Sequence, residues 1–252
     1  MLLDPHLPQA SEDAEAQVAR LNAGLRHHSA SDVLHAALAE IPDLTMVSSF
    51  GAESVALLHL VAMVRRDIPV VFIDTEMLFA ETLVYQQEVA ERLGLTRLKI
   101  VRAEDIATQD PDGTLHRRDT DACCTLRKSV PLANALAGVG GWITGRKRFQ
   151  SGTRAALQHF ELDPAADPAT PRIKVNPLAY WQSGDVADYI AENRLPRHPL
   201  VARGYPSIGC APCTSPVTAG EDPRAGRWRD AAKEECGIHF VNGKMVRTGA
   251  QS

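Results

Sequence analysis

The sequence has few aromatic residues and no long apolar run. Aromatics make up 5% of its 252 residues, and no stretch approaches the roughly 20 consecutive apolar residues that span a bilayer. The first residues include acids where a signal peptide has a basic start and then an apolar segment. We therefore expect a cytoplasmic protein that does not bind a membrane.

A surplus of positive charge is also missing. Lysine and arginine number 27 against 31 acidic residues, which gives a formal net charge of -4. This balance argues against general attraction to nucleic acid, so an anionic ligand must be held by a local group of basic side chains and backbone N–H groups. The 44% hydrophobic content is typical of a globular chain, here a single α/β domain with appendages.

Apolar runs and amphipathic segments alternate along the chain. The runs predict five strands, over 44–50, 68–75, 95–103, 141–148 and 172–178. Two amphipathic segments predict helices between the first three strands, over about 53–66 and 81–94. Continuous apolar strands that alternate with helices indicate an α/β fold whose parallel sheet is covered by helices on both faces.

We expect the chain to have three parts. Residues 1–40 predict two helices that pack on the core, and residues 41–220 predict the nucleotide-binding α/β domain. Residues 221–252 predict a flexible C-terminal tail with a short helix at about 229–235.

A turn of small residues follows the first predicted strand. Ser49, Gly51 and Ser54 stand where the strand passes into a helix, so free N–H groups and the positive end of the helix point to one place. Such a turn binds anions at the carboxyl end of a parallel strand, although an ordinary capped turn has the same local sequence. Asp74, at the end of the second strand, is either a ligand beside this turn or a strand-end cap.

The five cysteines form two pairs and one single residue. Cys123 and Cys124 are adjacent, Cys210 and Cys213 form a C-x-x-C pair, and Cys236 stands alone. In a reducing compartment, paired cysteines indicate metal ligands or redox centres. Adjacent cysteines modestly favour an iron-sulfur cluster over zinc, because each ligand of a cluster binds its own iron atom. Four buried, inert thiols are the remaining alternative.

Basic residues recur close to these cysteines. Lys128 comes one helical turn after Cys124, and the i, i+3 spacing of Arg224 and Arg227 places two guanidinium groups on one helical face. Each residue alone is more often a surface charge, but the set would supply the local positive field that an anionic ligand needs. Further candidates are Arg146, Arg148 and Arg154.

Cys236 lies in an unfavourable setting for a thiolate. Glu234 and Glu235 precede it near the end of a predicted helix, and both features raise the pKa of a thiol. We therefore expect Cys236 to react only when the tail brings it close to positive groups, among them His239.

Three motifs together resemble the adenylyl-sulfate reductase family of bacteria and plants. They occupy residues 123–132, 204–214 and 235–239, within a similarity that runs from about Thr45 to His239. The resemblance implies a Rossmann-like fold of the adenine nucleotide alpha-hydrolase-like (PP-loop) superfamily. It also implies one 4Fe-4S cluster per chain, with the ligands Cys123, Cys124, Cys210 and Cys213.

The same resemblance implies an activity. Adenylyl sulfate would be reduced to sulfite and AMP in assimilatory sulfate reduction, through a Cys-S-sulfonate on Cys236, with thioredoxin or a glutaredoxin-like protein as electron donor. The implied substrate-binding residues are Ser49, Gly51, Ser54, Asp74, Lys128, Arg154, Arg224, Arg227 and His239.

Other functions stay open at this point. The nearest is a phosphoadenylyl-sulfate reductase or a dual-substrate enzyme, although such reductases of enteric bacteria and fungi lack the cysteine pairs. A PP-loop nucleotidyltransferase or tRNA-sulfur enzyme with structural zinc would use the same turn and leave Cys236 without a role. A metal sensor would leave the turn and the arginines unexplained. The sequence leaves a homo-oligomer open, and we expect no nucleic-acid partner.

Overall fold

The computed structural model describes residues 7–229, and a six-stranded sheet lies at its centre. The strands are β1 (Leu44–Val47), β2 (Val70–Ile73), β3 (Leu98–Val101), β4 (Gly141–Ile143), β5 (Phe160–Leu162) and β6 (Ile173–Val175). Their order in the sheet is β3-β2-β1-β4-β6-β5, and all neighbours are parallel except the antiparallel pair β5 and β6. The chain order reverses between β1 and β4, which is the position where open α/β sheets bind ligands.

Helices cover both faces of the sheet, as the alternating pattern predicts. The α-helices are α1 (Leu7–Leu25), α2 (Ala30–Glu40), α3 (Ser54–Val64), α4 (Ala80–Leu93), α5 (Ile106–Gln109), α6 (Leu115–Arg118), α7 (Thr120–Cys124), α8 (Val130–Ala135) and α9 (Ser183–Glu192). The larger core joins α2, α3, α4 and α9 to one face, and a smaller core joins α8 to the other. The predicted α/β fold is therefore confirmed.

Local sequence sets several of these helix ends. A capping box between Ser29 and Asp32 begins α2, and Gly94 ends α4 in the left-handed region with φ of 64°. All four residues of β2 are buried, which explains why its apolar run is continuous.

The sequence did not predict β5. This strand has three residues, and only Phe160 among them is fully buried. It therefore shows no apolar pattern that would predict a strand. Asn22 of α1 covers this edge of the sheet: its side-chain amide donates to the carbonyl of Phe160 at 2.8 Å and accepts from the N–H of Phe160 at 3.0 Å. Helix α1 therefore satisfies backbone groups of an edge strand that would otherwise be free to pair with another chain.

The expectation about membrane-spanning helices concerns the described residues, whereas most of the predicted C-terminal tail does not belong to them. Across residues 7–229, no helix is long and apolar enough to cross a membrane. Residues 230–235 of the predicted tail helix, together with Cys236 and His239, lie outside the described residues.

Candidate functional site

The turn after β1 is held in a strained shape. Phe50 has φ of 47°, in the left-handed region that non-glycine residues rarely adopt, and its fully buried ring packs edge-on against Phe72 at 5.3 Å. Ser48 accepts a hydrogen bond from the N–H of Phe50 at 3.2 Å, and Ser54 accepts one from the N–H of Gly51 at 3.0 Å. Core packing thus stabilises a backbone shape that the local sequence disfavours.

Two adjoining cavities lie at the carboxyl ends of the strands. The larger has a volume of about 250 Å³, and its wall includes six of the residues predicted to bind substrate: Ser49, Gly51, Ser54, Arg154, Arg224 and Arg227. The smaller has a volume of about 110 Å³ and is lined in part by Ser49, Lys128, Cys210 and Arg227. The fold therefore brings the turn, the basic residues and one cysteine pair to the same edge of the sheet.

Asp74 faces another part of the molecule. Its buried carboxylate accepts hydrogen bonds from Arg102 Nε at 2.9 Å and from the N–H of Glu76 at 2.9 Å, and it lines neither cavity. These contacts stabilise the turn after β2, so they provide the capping role that the sequence left open, while substrate binding by Asp74 stays a prediction.

Arg227 borders both cavities, and part of its hydrogen-bonding capacity is unused among the described residues. Its Nη1 donates to the carbonyl of Ile208 at 3.3 Å, and its guanidinium carbon lies 4.4 Å from the centre of the Trp228 ring. Within residues 7–229, its buried Nε has no hydrogen-bond partner. A half-buried guanidinium with an unused donor suits an anionic ligand.

Lys147, Glu53 and Gln150 also line the larger cavity, and sequence reasoning missed all three. The side chain of Lys147 is 3% exposed, and its ammonium donates a hydrogen bond to Glu53 Oε2 at 2.8 Å. Burial lowers the pKa of Lys147, the Glu53 carboxylate opposes this effect, and the nearby charges of Arg154 and Arg224 lower the pKa further. Glu53 lies between Gly51 and Ser54 of the small-residue turn, which was the available signal.

The basic residues 146–148 do not all line the larger cavity. Arg146 lines the larger cavity and pairs with Glu161. Arg148 lines neither cavity, and its guanidinium donates to the carbonyl of Leu157 at 2.6 Å and stacks 4.0 Å from the centre of the Tyr180 ring. Only the folded chain shows which members of the run line the cavity.

The two cysteine pairs come together beside the smaller cavity. Cys123 and Cys124 end α7, whereas Cys210 precedes and Cys213 ends a short 3-10 turn, Ala211–Cys213. Backbone pairing of Cys210 with Leu78 places the second pair beside β2, where the hydroxyl of Thr75 lies 3.2 Å from Cys210 Sγ. Thr75 was not predicted as a neighbour of the cysteines.

The thiols are close enough to influence one another. Burial raises the pKa of Cys123 to about 11, with further increases from Cys124, Cys210 and Cys213 and an opposing effect of Arg127. Burial and Cys210 likewise raise the pKa of Cys213, which Lys128 and Arg227 lower. Cys123 and Cys213 therefore keep their protons unless a metal replaces them, and this is the chemistry of a thiolate metal site. In the described part of the chain, no three potential ligands already surround one metal position.

A π-helical turn connects α7 to α8 and points several side chains inward. Its residues are Thr125–Ser129, and the N–H of Val130 donates to the carbonyl of Thr125. Pro131 has no N–H for the α-helical bond to residue 127, which favours this wider turn. Arg127 and Lys128 are both buried as a result, and Lys128 reaches the smaller cavity.

Comparison with known proteins identifies the family. A family model described as the phosphoadenosine phosphosulfate reductase domain matches residues 43–216. A protein of Mesorhizobium japonicum named adenosine 5'-phosphosulfate reductase is 45% identical over 97% of this chain and 96% of its own length. A Mycobacterium tuberculosis protein with the same name is 41% identical over 77% of this chain and 75% of its own length.

The fold has a counterpart among solved structures. The phosphoadenylyl-sulfate (PAPS) reductase of Candida auris, solved as a phosphate complex, superimposes with a TM-score of 0.69 at 27% identity, over 86% of this chain and 99% of that one. Since the family model spans more than half of the chain and the relatives match most of it, the chain belongs to the phosphoadenosine phosphosulfate reductase domain family.

Proposed function

We propose that this protein reduces adenylyl sulfate to sulfite and AMP in assimilatory sulfate reduction. The observation that carries the proposal is the meeting of the cysteine pairs with the basic cavity: Cys210, Lys128 and Arg227 border one small space beside the turn after β1. The relatives from Mesorhizobium and Mycobacterium named adenosine 5'-phosphosulfate reductase support the choice of substrate.

The cavity walls suggest how the nucleotide is held. The positive end of α3 favours an anion at the turn, so the phosphate binds there. Arg154, Arg224 and Arg227 surround the remaining negative charge of the phosphosulfate. Lys128 lies on the side of the cysteines.

Cys236 supplies the nucleophile in this proposal. Its thiolate attacks the sulfur of adenylyl sulfate, an S–S bond forms, and the S–O bond breaks with its electron pair leaving on AMP. The cationic groups of the cavity stabilise the charge that develops on this leaving group.

A dithiol protein of the thioredoxin or glutaredoxin type completes the cycle. One of its thiolates attacks Cys236 Sγ, sulfite leaves with the electron pair of the broken S–S bond, and the second thiol closes a disulfide on the donor. The donor thereby loses the two electrons that the sulfur gains, and Cys236 returns as a thiol.

The cysteine pairs fit a 4Fe-4S cluster. The four thiols are crowded together, and burial raises the pKa values of Cys123 and Cys213. The charges of Lys128, Arg127 and Arg227 favour the thiolates that a cluster requires. Cys123, Cys124, Cys210 and Cys213 would hold it. When bound, the cluster would supply an anionic iron-sulfur centre whose charge these basic residues balance.

Sulfite release from the full chain tests the reaction. With a thioredoxin-type donor, we expect turnover of adenylyl sulfate to exceed that of phosphoadenylyl sulfate, and the Cys236→Ser variant to release no sulfite while it binds adenylyl sulfate normally. Near-normal turnover by Cys236→Ser would refute the nucleophile. A preference for phosphoadenylyl sulfate would instead indicate that this protein is a phosphoadenylyl-sulfate reductase, the name that the Candida auris enzyme carries.

Metal analysis tests the cluster separately. We expect the purified protein to be brown, with four iron atoms per chain and broad absorbance at roughly 400 nm. A colourless, active protein that contains zinc would refute the cluster and leave the nucleotide site standing.

A further inference from the structure

We propose that Gln150 is a positioning residue for Arg154. The ion pair of Glu53 and Lys147 keeps the side-chain amide of Gln150 in the orientation that directs its oxygen at Arg154. This inference deepens the proposed function, because Gln150 acts through an arginine assigned to bind the phosphosulfate. Gln150 Oε1 accepts a hydrogen bond from Arg154 Nη1 and a second from the N–H of Lys147, the latter at 3.2 Å. One carbonyl oxygen therefore links the arginine to the wall of the cavity.

The backbone that carries Gln150 is itself fixed. Gln150 ends the 3-10 turn Arg148–Gln150, and the N–H of Arg148 donates to the carbonyl of Ala179 at 3.0 Å. The guanidinium of Arg148 is held by the carbonyl of Leu157 and by the ring of Tyr180. The amide of Gln150 is consequently presented from a rigid support.

Glu53 determines which end of the amide faces Arg154. Its Oε2 lies 2.8 Å from Lys147 Nζ and 3.5 Å from Gln150 Nε2. If the amide were turned over, its NH₂ group would meet the donors of Arg154 and Lys147, and its oxygen would meet the Glu53 carboxylate. Both contacts would be repulsive, so the carboxylate keeps the oxygen directed at Arg154.

The consequence is an arginine that is ordered before substrate arrives. Arg154 is 8% exposed and lines the larger cavity. A long side chain that is already held loses less conformational freedom on binding, and this improves affinity. Removal of Gln150 should therefore weaken substrate binding although Gln150 need not contact the substrate.

A double-mutant cycle tests whether Gln150 acts through Arg154. The probe is adenylyl sulfate, and the dissociation constant is measured on the full chain in a Cys236→Ser background, so that the probe is not consumed. We expect Gln150→Ala to weaken binding by about tenfold. Arg154→Ala should weaken it at least as much, and the double variant no more than Arg154→Ala alone. The control is Gln158→Ala, an exposed glutamine of the same segment, with unchanged affinity.

An exchange of the Glu53 carboxylate and the Gln150 amide supplies a rescue test. Glu53→Gln removes the charge that orients the amide, and Gln150→Glu places two carboxylates together, so each alone should weaken binding by about tenfold. The combined exchange restores one carboxylate and one amide, and we expect an affinity within about threefold of the parent.

Three outcomes would overturn the inference. Unchanged affinity of Gln150→Ala would remove the positioning role. Losses that multiply in the Gln150→Ala/Arg154→Ala variant would show that Gln150 acts independently of the arginine. Failure of the parent chain to bind adenylyl sulfate would refute the proposed function and this inference together, and that result is distinct from the other two.

Discussion

At the scale of single residues, the site depends on close approaches between backbone and side chain. Gly209 precedes Cys210, and a Cβ atom on it would lie 2.3 Å from Nη2 and 2.5 Å from the guanidinium carbon of Arg227. The absence of a side chain at this position is therefore what allows Arg227 to lie against the cysteine loop and border both cavities.

We expect Gly209→Ala to displace the Arg227 guanidinium and to weaken adenylyl sulfate binding by roughly tenfold or more, through loss of a charge-assisted hydrogen bond. The fold should tolerate the change, because the end of an arginine side chain can move. Calorimetric titration measures the affinity. Gly184→Ala, with no atom within 4 Å of the added Cβ, is the control. Equal affinities of the two variants would contradict the role of Gly209.

At the scale of one element, the helical segment from α7 to α8 depends on a buried ion pair. Arg127 Nη2 donates to Asp110 Oδ2 at 2.7 Å, and Nη1 donates to the carbonyl of Thr75 at 2.8 Å. Burial alone would raise the pKa of Asp110, but hydrogen bonds from Arg127 and from the N–H of Leu115 leave it lowered. Arg127 thus joins the segment that carries Cys123 to Asp110 and, through Thr75, to the chain that follows β2 beside Cys210.

We expect Arg127→Met to lower the free energy of unfolding by about 3–5 kcal/mol, because the buried carboxylate of Asp110 loses its partner. Arg118 also approaches Asp110, at 3.9 Å, but its side chain is 59% exposed. Arg118→Met should therefore cost about 1 kcal/mol or less. Urea unfolding of the full chain measures both values. Similar losses for the two variants would disprove the importance of the buried pair.

At the scale of the whole molecule, His198 joins the proline-rich segment before the second cysteine pair to α4. It is 1% exposed, its Nε2 lies 3.0 Å from the hydroxyl of Thr82, and its Nδ1 accepts from the N–H of Leu200 at 3.2 Å. Burial lowers the pKa of His198 to about 4, although the charge of Glu81 opposes the shift. The folded protein therefore keeps this imidazole neutral.

Acid should destabilise the molecule through this residue. The pKa in the folded state is below the ordinary value, so the unfolded chain takes up the proton first, and stability present above about pH 6.5 is lost as the pH falls toward 4. The loss between pH 7 and pH 5 should be about 2 kcal/mol.

Unfolding of His198→Gln at the two pH values measures this contribution. The variant should lose about 2 kcal/mol less than the parent between pH 7 and pH 5, whatever its stability at neutral pH. The exposed His27 supplies the control, His27→Gln, whose pH dependence should match the parent. An unchanged pH dependence in His198→Gln would exclude His198 as the source.

Sequence patterns predicted the centre of the fold better than its edges. The five predicted strands are present, each shorter than its apolar run, because a run also includes residues that leave the sheet at either end. β5 escaped prediction because it has three residues and one fully buried side chain, and Asn22, which bonds to its backbone, lies far away in the chain. Contacts between distant segments have no local pattern.

The amino-acid sequence by itself determined the α/β class, the two cysteine pairs and the small-residue turn, because periodicity, spacing and residue chemistry are local properties. Tertiary structure alone decided that Arg146 faces the cavity and Arg148 does not, and that Asp74 binds Arg102. It also brought Glu53, Lys147 and Gln150 into one network. The physical reason is that side-chain direction and burial depend on which distant residues the sheet order places side by side.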